Sequence, residues 1–233
     1  MRKHSRRFRE ILQKVEHNKL YKPIDAIDLL KDLSNVKFIE TIEAHIVLNL
    51  DPKYADQQLR STVVLPKGTG KKIRIAVIAK DDQLQSLNEE ADIIGSEDLI
   101  QDIKNGYLDF DKLIATPDVM PLIAKLGKIL GPRGLMPSPK AGTVTTNLYD
   151  TVKQFRLGKL EYRVDRSGIV HVPFGKLNFS SADLMINLIA LYNSIDKNRP
   201  SGAKGKYWKS MYLSTTMGPS IPLDFLMMKE NII

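Results

Sequence analysis

The sequence predicts a mixed fold, α+β at both ends of the chain and α/β layers in its middle. Three observations carry this. Ile42, Ala44, Ile46, Leu48 and Leu50 alternate with Glu43, His45, Val47 and Asn49, the period of a strand with one face on a core. Ile73 to Ala79 is almost continuously apolar, as expected of a strand whose two faces are both covered by helices. Leu184, Leu188, Leu191 and Ile195 form a stripe at i, i+4, i+7 and i+11, the clearest helical signal in the chain.

In order, Phe8, Ile11 and Leu12 suggest a helix over Phe8 to Val15. A second follows Pro23, which suits a first helical turn, with Ile27, Leu30 and Leu33 on one face. The alternating strand ends at Asp51-Pro52, and a second strand runs to Leu65. In the middle, Ile73 to Ala79, Asp92 to Ile94 and Leu113 to Ala115 are strands. Between and after them, Glu97 to Lys104 and Val119 to Leu130 are helical, the latter ending at Gly131-Pro132. Tyr149 to Phe155 is again helical. Alternation then returns in KLEYRV, a turn at Gly168 precedes IVHVPF, and YWKSMYLS is the last strand before an irregular tail. The change of texture suggests that residues 67–158 are inserted between the halves of one α+β domain, 1–66 and 159–233. Two domains in linear order would produce the same textures.

With 233 residues and 42% hydrophobic side chains, the chain can bury one substantial core or two small ones. It has no cysteine, which excludes disulfides, thiolate nucleophiles and Cys-based metal sites. No apolar run reaches the roughly 20 residues of a membrane-spanning helix, and the basic start lacks a signal-peptide core. A formal charge of +8 favours anionic partners but does not separate RNA, DNA and acidic membrane. The charge is uneven: +6 over residues 1–22, −9 over 81–111 and +5 over 197–211. Basic ends flanking an acidic middle suggest that the termini meet nucleic acid together; a solubility pattern is the plainer account.

Enzymatic motifs are incomplete. In GTGK, Leu65 stands where a phosphate loop needs its first Gly, and Lys72 replaces the magnesium-binding Ser or Thr. A dinucleotide fingerprint fails at Ile73, so a flexible domain junction is the simpler reading. His4, His17, His45 and His171 lack metal-ligand spacing. His45 and His171 lie on strands and would contact RNA or satisfy a local bond. Asp109 and Asp111 have no third group to complete acid/base chemistry, so no cofactor or metal is expected.

Three segments fit binding. KLGKILGPRGLMPSPKAG carries Lys125, Lys128, Arg133 and Lys140 without an acid, with prolines that stiffen it; it could follow a phosphate backbone, meet a protein, or cover the sheet. STTMGP offers the hydroxyls of Ser214, Thr215 and Thr216, apolar Met217, and Gly218 for close backbone approach. Phe38 could stack on a nucleotide or join a core.

KFIETIEAHIVLNLDPKYADQQLRSTVVLPKGTGK, LDFDKLIATPDVMPLIAKLGKILGPRGLMPSPKAGTV, GIVHVPFGK, GAKGKY and STTMGP together, in this order, closely resemble the bacterial and plastid ribosomal protein L1 family. The resemblance implies no enzymatic activity and a split α+β domain with an inserted Rossmann-like three-layer α/β domain. It implies binding of 23S rRNA at the L1 stalk of the large subunit, contact with E-site tRNA and its release, and repression of a ribosomal-protein mRNA in bacterial members. It further implies a monomer off the ribosome that binds no membrane. By motif, Lys37, Phe38, Thr216, Met217 and Gly218 are the rRNA-binding residues, with Arg6, Arg7, His171 and Lys206 peripheral. Tyr54, Ser61 and Tyr107 depart from the residues usual at their positions. The Ile/Lys/Asn-rich texture favours a plastid location, with a bacterial cytoplasm as the alternative. A protein-interaction scaffold and, further off, a nucleotide-dependent enzyme are the competing readings.

Overall fold

The computed structural model describes residues 4–16, 19–80 and 91–230, without the side chains of residues 229 and 230. Arg2, Lys3, His17, the acidic run 81–90 and the end of the KENII tail lie outside the described residues. The chain divides into two compact units, residues 1–70 with 161–233, and residues 71–160.

The discontinuous unit is built on a four-stranded antiparallel sheet. Its strands are β1 (Thr41–Leu48), β7 (Ile169–Lys176), β8 (Trp208–Thr215) and β9 (Ser220–Leu223), in the order β7-β1-β8-β9. In β1 every second residue is buried: Ile42, Ala44, Ile46 and Leu48. Two helices cover this apolar face, α2 (Pro23–Leu33) and α7 (Ser181–Lys197). The expected stripe on α7 is fully buried at Leu184, Leu188, Leu191 and Ile195, and Ser180 caps the helix by accepting from the Asp183 N–H. A short helix, α1 (Arg6–Leu12), precedes them with Ser5 as its N-cap. β2 (Arg60–Val64) pairs with β6 (Lys159–Arg163) in a separate two-stranded sheet.

The second unit has three parallel strands, β3 (Ile75–Ile78), β4 (Ile93–Gly95) and β5 (Lys112–Ala115), in the order β4-β3-β5. All four residues of β3 are buried, because helices lie on both faces. On one face Ala76 and Ile78 pack with α3 (Glu97–Lys104), α4 (Met120–Ala124) and α5 (Gly127–Leu130). On the other, Ile75 and Val77 pack with α6 (Leu148–Arg156) through Leu148, Val152 and Phe155. Three layers result.

Two elements differ from expectation. The single helix expected over Val119 to Leu130 is broken between α4 and α5, where Leu126 leaves the helical region just before Gly127, a poor helix former. The tail after STTMGP is not irregular: β9 pairs with β8, and α8 (Met227–Glu230) follows. Pro222 masked this strand in the sequence, but an edge strand tolerates proline, and its carbonyl accepts from the Tyr21 N–H. Phe225 stacks on Trp208 with ring centroids 6.0 Å apart.

The GTGK segment is held rather than free on its N-terminal side. Asn187, fully buried on α7, accepts from the Lys67 N–H (3.0 Å) and donates to the carbonyls of Gly68 (3.0 Å) and Phe174 (2.8 Å). An apolar residue here strands three backbone groups, each costing about 1–3 kcal/mol if it stays buried. Asn187→Leu is therefore expected to destabilise the discontinuous unit by about 3 kcal/mol or more. A denaturant midpoint equal to that of the unsubstituted chain would refute this.

Candidate RNA interface

The interface begins where β1 starts and β8 ends. Thr41 N–H donates to Thr216 Oγ1 (3.1 Å), while the Thr216 N–H (3.1 Å) and hydroxyl (3.3 Å) donate to the Thr41 carbonyl. One residue further, the Met217 N–H donates to a carboxylate oxygen of Glu40 at 2.8 Å. These bonds tie residues 40–41 to residues 216–217, although 175 positions separate Thr41 from Thr216. Phe38 lies two residues from Glu40, so their Cα atoms are within about 7 Å. Phe38, Ile39 and Met217 are 52%, 56% and 48% exposed, so three large apolar side chains stand in solvent on two joined segments. Lys37 is exposed beside them.

The first helix reaches the same turn. Arg7 donates to the Met217 carbonyl at 3.0 Å, while Arg6 on the same short helix is exposed. Arg7 therefore shapes the turn as well as charging it.

The turn's hydroxyls and glycine act differently from expectation. Thr215 is buried, the Thr216 hydroxyl is engaged with Thr41, and Ser214 Oγ lies 2.9 Å from His45 Nε2. They build the surface before they could serve a ligand. Gly218 has no left-handed backbone; a Cβ there would lie 2.3 Å from the Thr215 hydroxyl. Close internal packing is by itself enough to favour glycine here.

His171 sits mid-strand, paired with His45 across β1 and β7. Lys206 does not join the turn. It precedes Trp208, which pairs with Leu48 at the far end of β1, about 23 Å along the strand from Thr41. The basic block 197–211 therefore lies away from the STTMGP turn, and the two basic ends do not form one patch there.

Elsewhere the residues weighed for chemistry have structural partners. Asp109 pairs with Arg74, and Asp111 with Lys71 at 2.7 Å. The Lys71 hydrogen bond, then the Arg74 backbone N–H, hold the Asp111 carboxyl below the usual carboxylate range. Among the described residues no group of three or more His, Asp and Glu is placed to hold a metal, and no helix is long and apolar enough to cross a membrane.

Residues 30–219 match the family described as Ribosomal protein L1p/L10e. That span includes β1, the inserted unit and the turn. The chain belongs to this family. Its members are structural proteins of the ribosome, not enzymes, which removes the nucleotide-dependent alternative. "Large ribosomal subunit protein uL1c" of Gracilaria tenuistipitata var. liui is 65% identical over all of both chains. The uL1c protein of Guillardia theta is 64% identical over 96% of each. A cyanobacterial relative, "Large ribosomal subunit protein uL1" of Thermosynechococcus vestitus, is 59% identical over 99% of this chain and 97% of its own. This chain is thus a ribosomal L1 protein with both plastid-type and cyanobacterial relatives.

Sequence reasoning about this L1-family chain missed Glu40. A signal was present: Glu40 falls in phase with Ile42, Ala44, Ile46 and Leu48, the buried set of β1. A carboxylate on the core side of an alternating strand marks a site where polar donors must converge.

The exposed side of the same strands carries a polar chain. His45 Nδ1 and His171 Nδ1 are 2.8 Å apart, and His171 Nε2 lies 3.7 Å from Asp165. A bond between two ring nitrogens needs one of them unprotonated. Burial lowers the His45 pKa, the charge of His171 lowers it further, and Glu43 opposes both. The folded pKa is thus below the unfolded one, so the unfolded chain binds more protons, and the stability present above about 6.5 is lost as pH falls from there through the lower folded value. The melting temperature is expected to fall less for His45→Gln than for the unsubstituted chain between pH 7 and pH 5. Parallel profiles would show that the pair is not linked to folding.

Proposed function

We propose that this chain is a structural constituent of the plastid large ribosomal subunit and binds the rRNA of the L1 stalk. The discontinuous unit supplies the binding surface, with Lys37, Phe38, Thr216, Met217 and Gly218 at its centre. The observation that carries this reading is the bonding of residues 40–41 to residues 216–217, which joins the two segments on which Phe38, Ile39 and Met217 stand in solvent. Exposed apolar side chains held in a fixed pattern suit unstacked bases and riboses of a folded RNA, which proteins recognise by shape. Arg6, Arg7 and Lys37 would attract the phosphates, and His171 could contact RNA further along the sheet. Lys206 would be a remote phosphate contact.

The test compares the isolated stalk RNA with an unrelated duplex of the same length at matched salt. Tighter binding of the stalk RNA is expected; equal affinity rejects the reading. Contact with E-site tRNA, its release, and repression of a ribosomal-protein mRNA are finer proposals on the same basis. The last requires the mRNA to present the stalk's shape, so competition between the two RNAs for one site is the expected result.

A further inference from the structure

Glu40 is the only buried charged side chain among the described residues, at 1% exposure. Three separate elements meet on it. One carboxylate oxygen accepts from the Ser34 hydroxyl, which follows α2, at 2.6 Å. The other accepts from the Met217 N–H in the turn at 2.8 Å. Its backbone carbonyl accepts from the N–H of Leu177, just beyond β7, at 3.0 Å. No ion pair involves Glu40 among the described residues, so neutral donors alone hold its side chain.

A buried carboxylate held this way is costly, and a well-packed apolar residue would serve stability at least as well. Its position suggests what it does instead. Glu40 lies between Ile39, which stands in solvent with Phe38, and the turn that carries Met217. It fastens the backbone of Met217 to the segment that presents the aromatic ring. We infer that Glu40 is a positioning residue for RNA: it makes the aromatic segment and the turn one preformed surface without touching the ligand. This rests on the reading of that surface as an RNA site.

The physical consequence is a smaller ordering cost on binding. With the Met217 N–H fixed, the turn is already in place when RNA arrives; without it, association must also order the loop. No phosphate contact is involved, so the salt dependence of binding should not depend on Glu40. The chemistry of the clamp separates three variants. Gln can keep both bonds, its amide oxygen accepting from Met217 and its NH2 donating to Ser34 Oγ. Asp is one methylene shorter and cannot span the two donors from the same backbone position. Ala removes both bonds.

The experiment measures two things on the full chain: hydrogen exchange of the Met217 amide without RNA, and affinity for the isolated stalk RNA across a salt series. Glu40→Ala and Glu40→Asp are expected to lose about tenfold or more in Met217 protection. The same two variants should lose about tenfold in affinity, with an unchanged salt slope, as fits an ordering cost. Glu40→Gln should restore both to within about threefold of the unsubstituted chain. Unchanged Met217 protection in the Ala and Asp variants overturns the inference, as does unchanged RNA affinity in both. A Gln variant as impaired as Ala also overturns it, because charge rather than hydrogen bonding would then be the requirement. If Ala does not fold, the Gln and Asp variants carry the same comparison. If the unsubstituted chain does not prefer the stalk RNA, the RNA reading fails by itself, and Met217 protection still reports on the clamp.

Discussion

Met217→Ala is expected to weaken stalk-RNA binding by about 30-fold, near 2 kcal/mol, while leaving the salt dependence of binding unchanged. The side chain is about half exposed, its backbone is fixed on both sides by Glu40 and Arg7, and its thioether is free to settle against a ribose or base. Removing it deletes apolar contact without disturbing the turn, because Met217 joins the turn's bonds only through its backbone N–H and carbonyl. Lys37→Ala is the comparison. An exposed lysine beside a phosphate acts mainly through counterion release, so its loss should cost a few-fold in affinity and reduce the salt slope by about one. Isotherms for both variants at several salt concentrations separate the two behaviours. A larger loss for Lys37→Ala than for Met217→Ala at physiological salt would contradict the division into anchor and rim.

Much of the scaffold under this surface was legible because periodicity reports burial. The alternation from Ile42 onward and the stripe on α7 are direct signatures of one-sided packing, and both lie against the core as expected. The apolar run at Ile73–Ala79 marked the covered strand in the same way, and Ile75–Ile78 form it. What remained hidden was non-local. Nothing near STTMGP in the chain says that Thr216 pairs with Thr41, since that contact spans 175 positions. The motif read as a set of available hydroxyls, whereas Thr215 is buried and Thr216 is spent on β1. Lys206 is a related case. Local charge suggested that it joins the N-terminal basic residues, but strand direction carries it to the other end of β1. β9 was missed because two prolines in SIPL and its neighbour masked a strand that an edge position permits.

Gly218→Ala should lower RNA affinity about 10- to 100-fold, and a second substitution should reverse most of the loss. The added Cβ would lie 2.3 Å from the Thr215 hydroxyl, a separation at which something must move. Thr215 is buried, and rotating it would bring its methyl group toward the same space. The turn itself must therefore shift, at an overpacking cost of about 1–3 kcal/mol in the binding conformation. A left-handed backbone is not the cause, because Gly218 does not have a positive φ. The nearest remaining neighbours would be Thr215 Cβ at 3.6 Å and its backbone nitrogen at 3.8 Å, both ordinary contacts. Thr215→Ala combined with Gly218→Ala should accordingly bind within a few-fold of Thr215→Ala alone, whereas Thr215→Ser, which keeps the hydroxyl, should give no rescue. If Gly218 were instead required so that RNA can approach the bare backbone, the double variant would be as weak as Gly218→Ala. The affinities of the four chains distinguish an internal contact from an external one, since only the internal contact depends on the Thr215 oxygen.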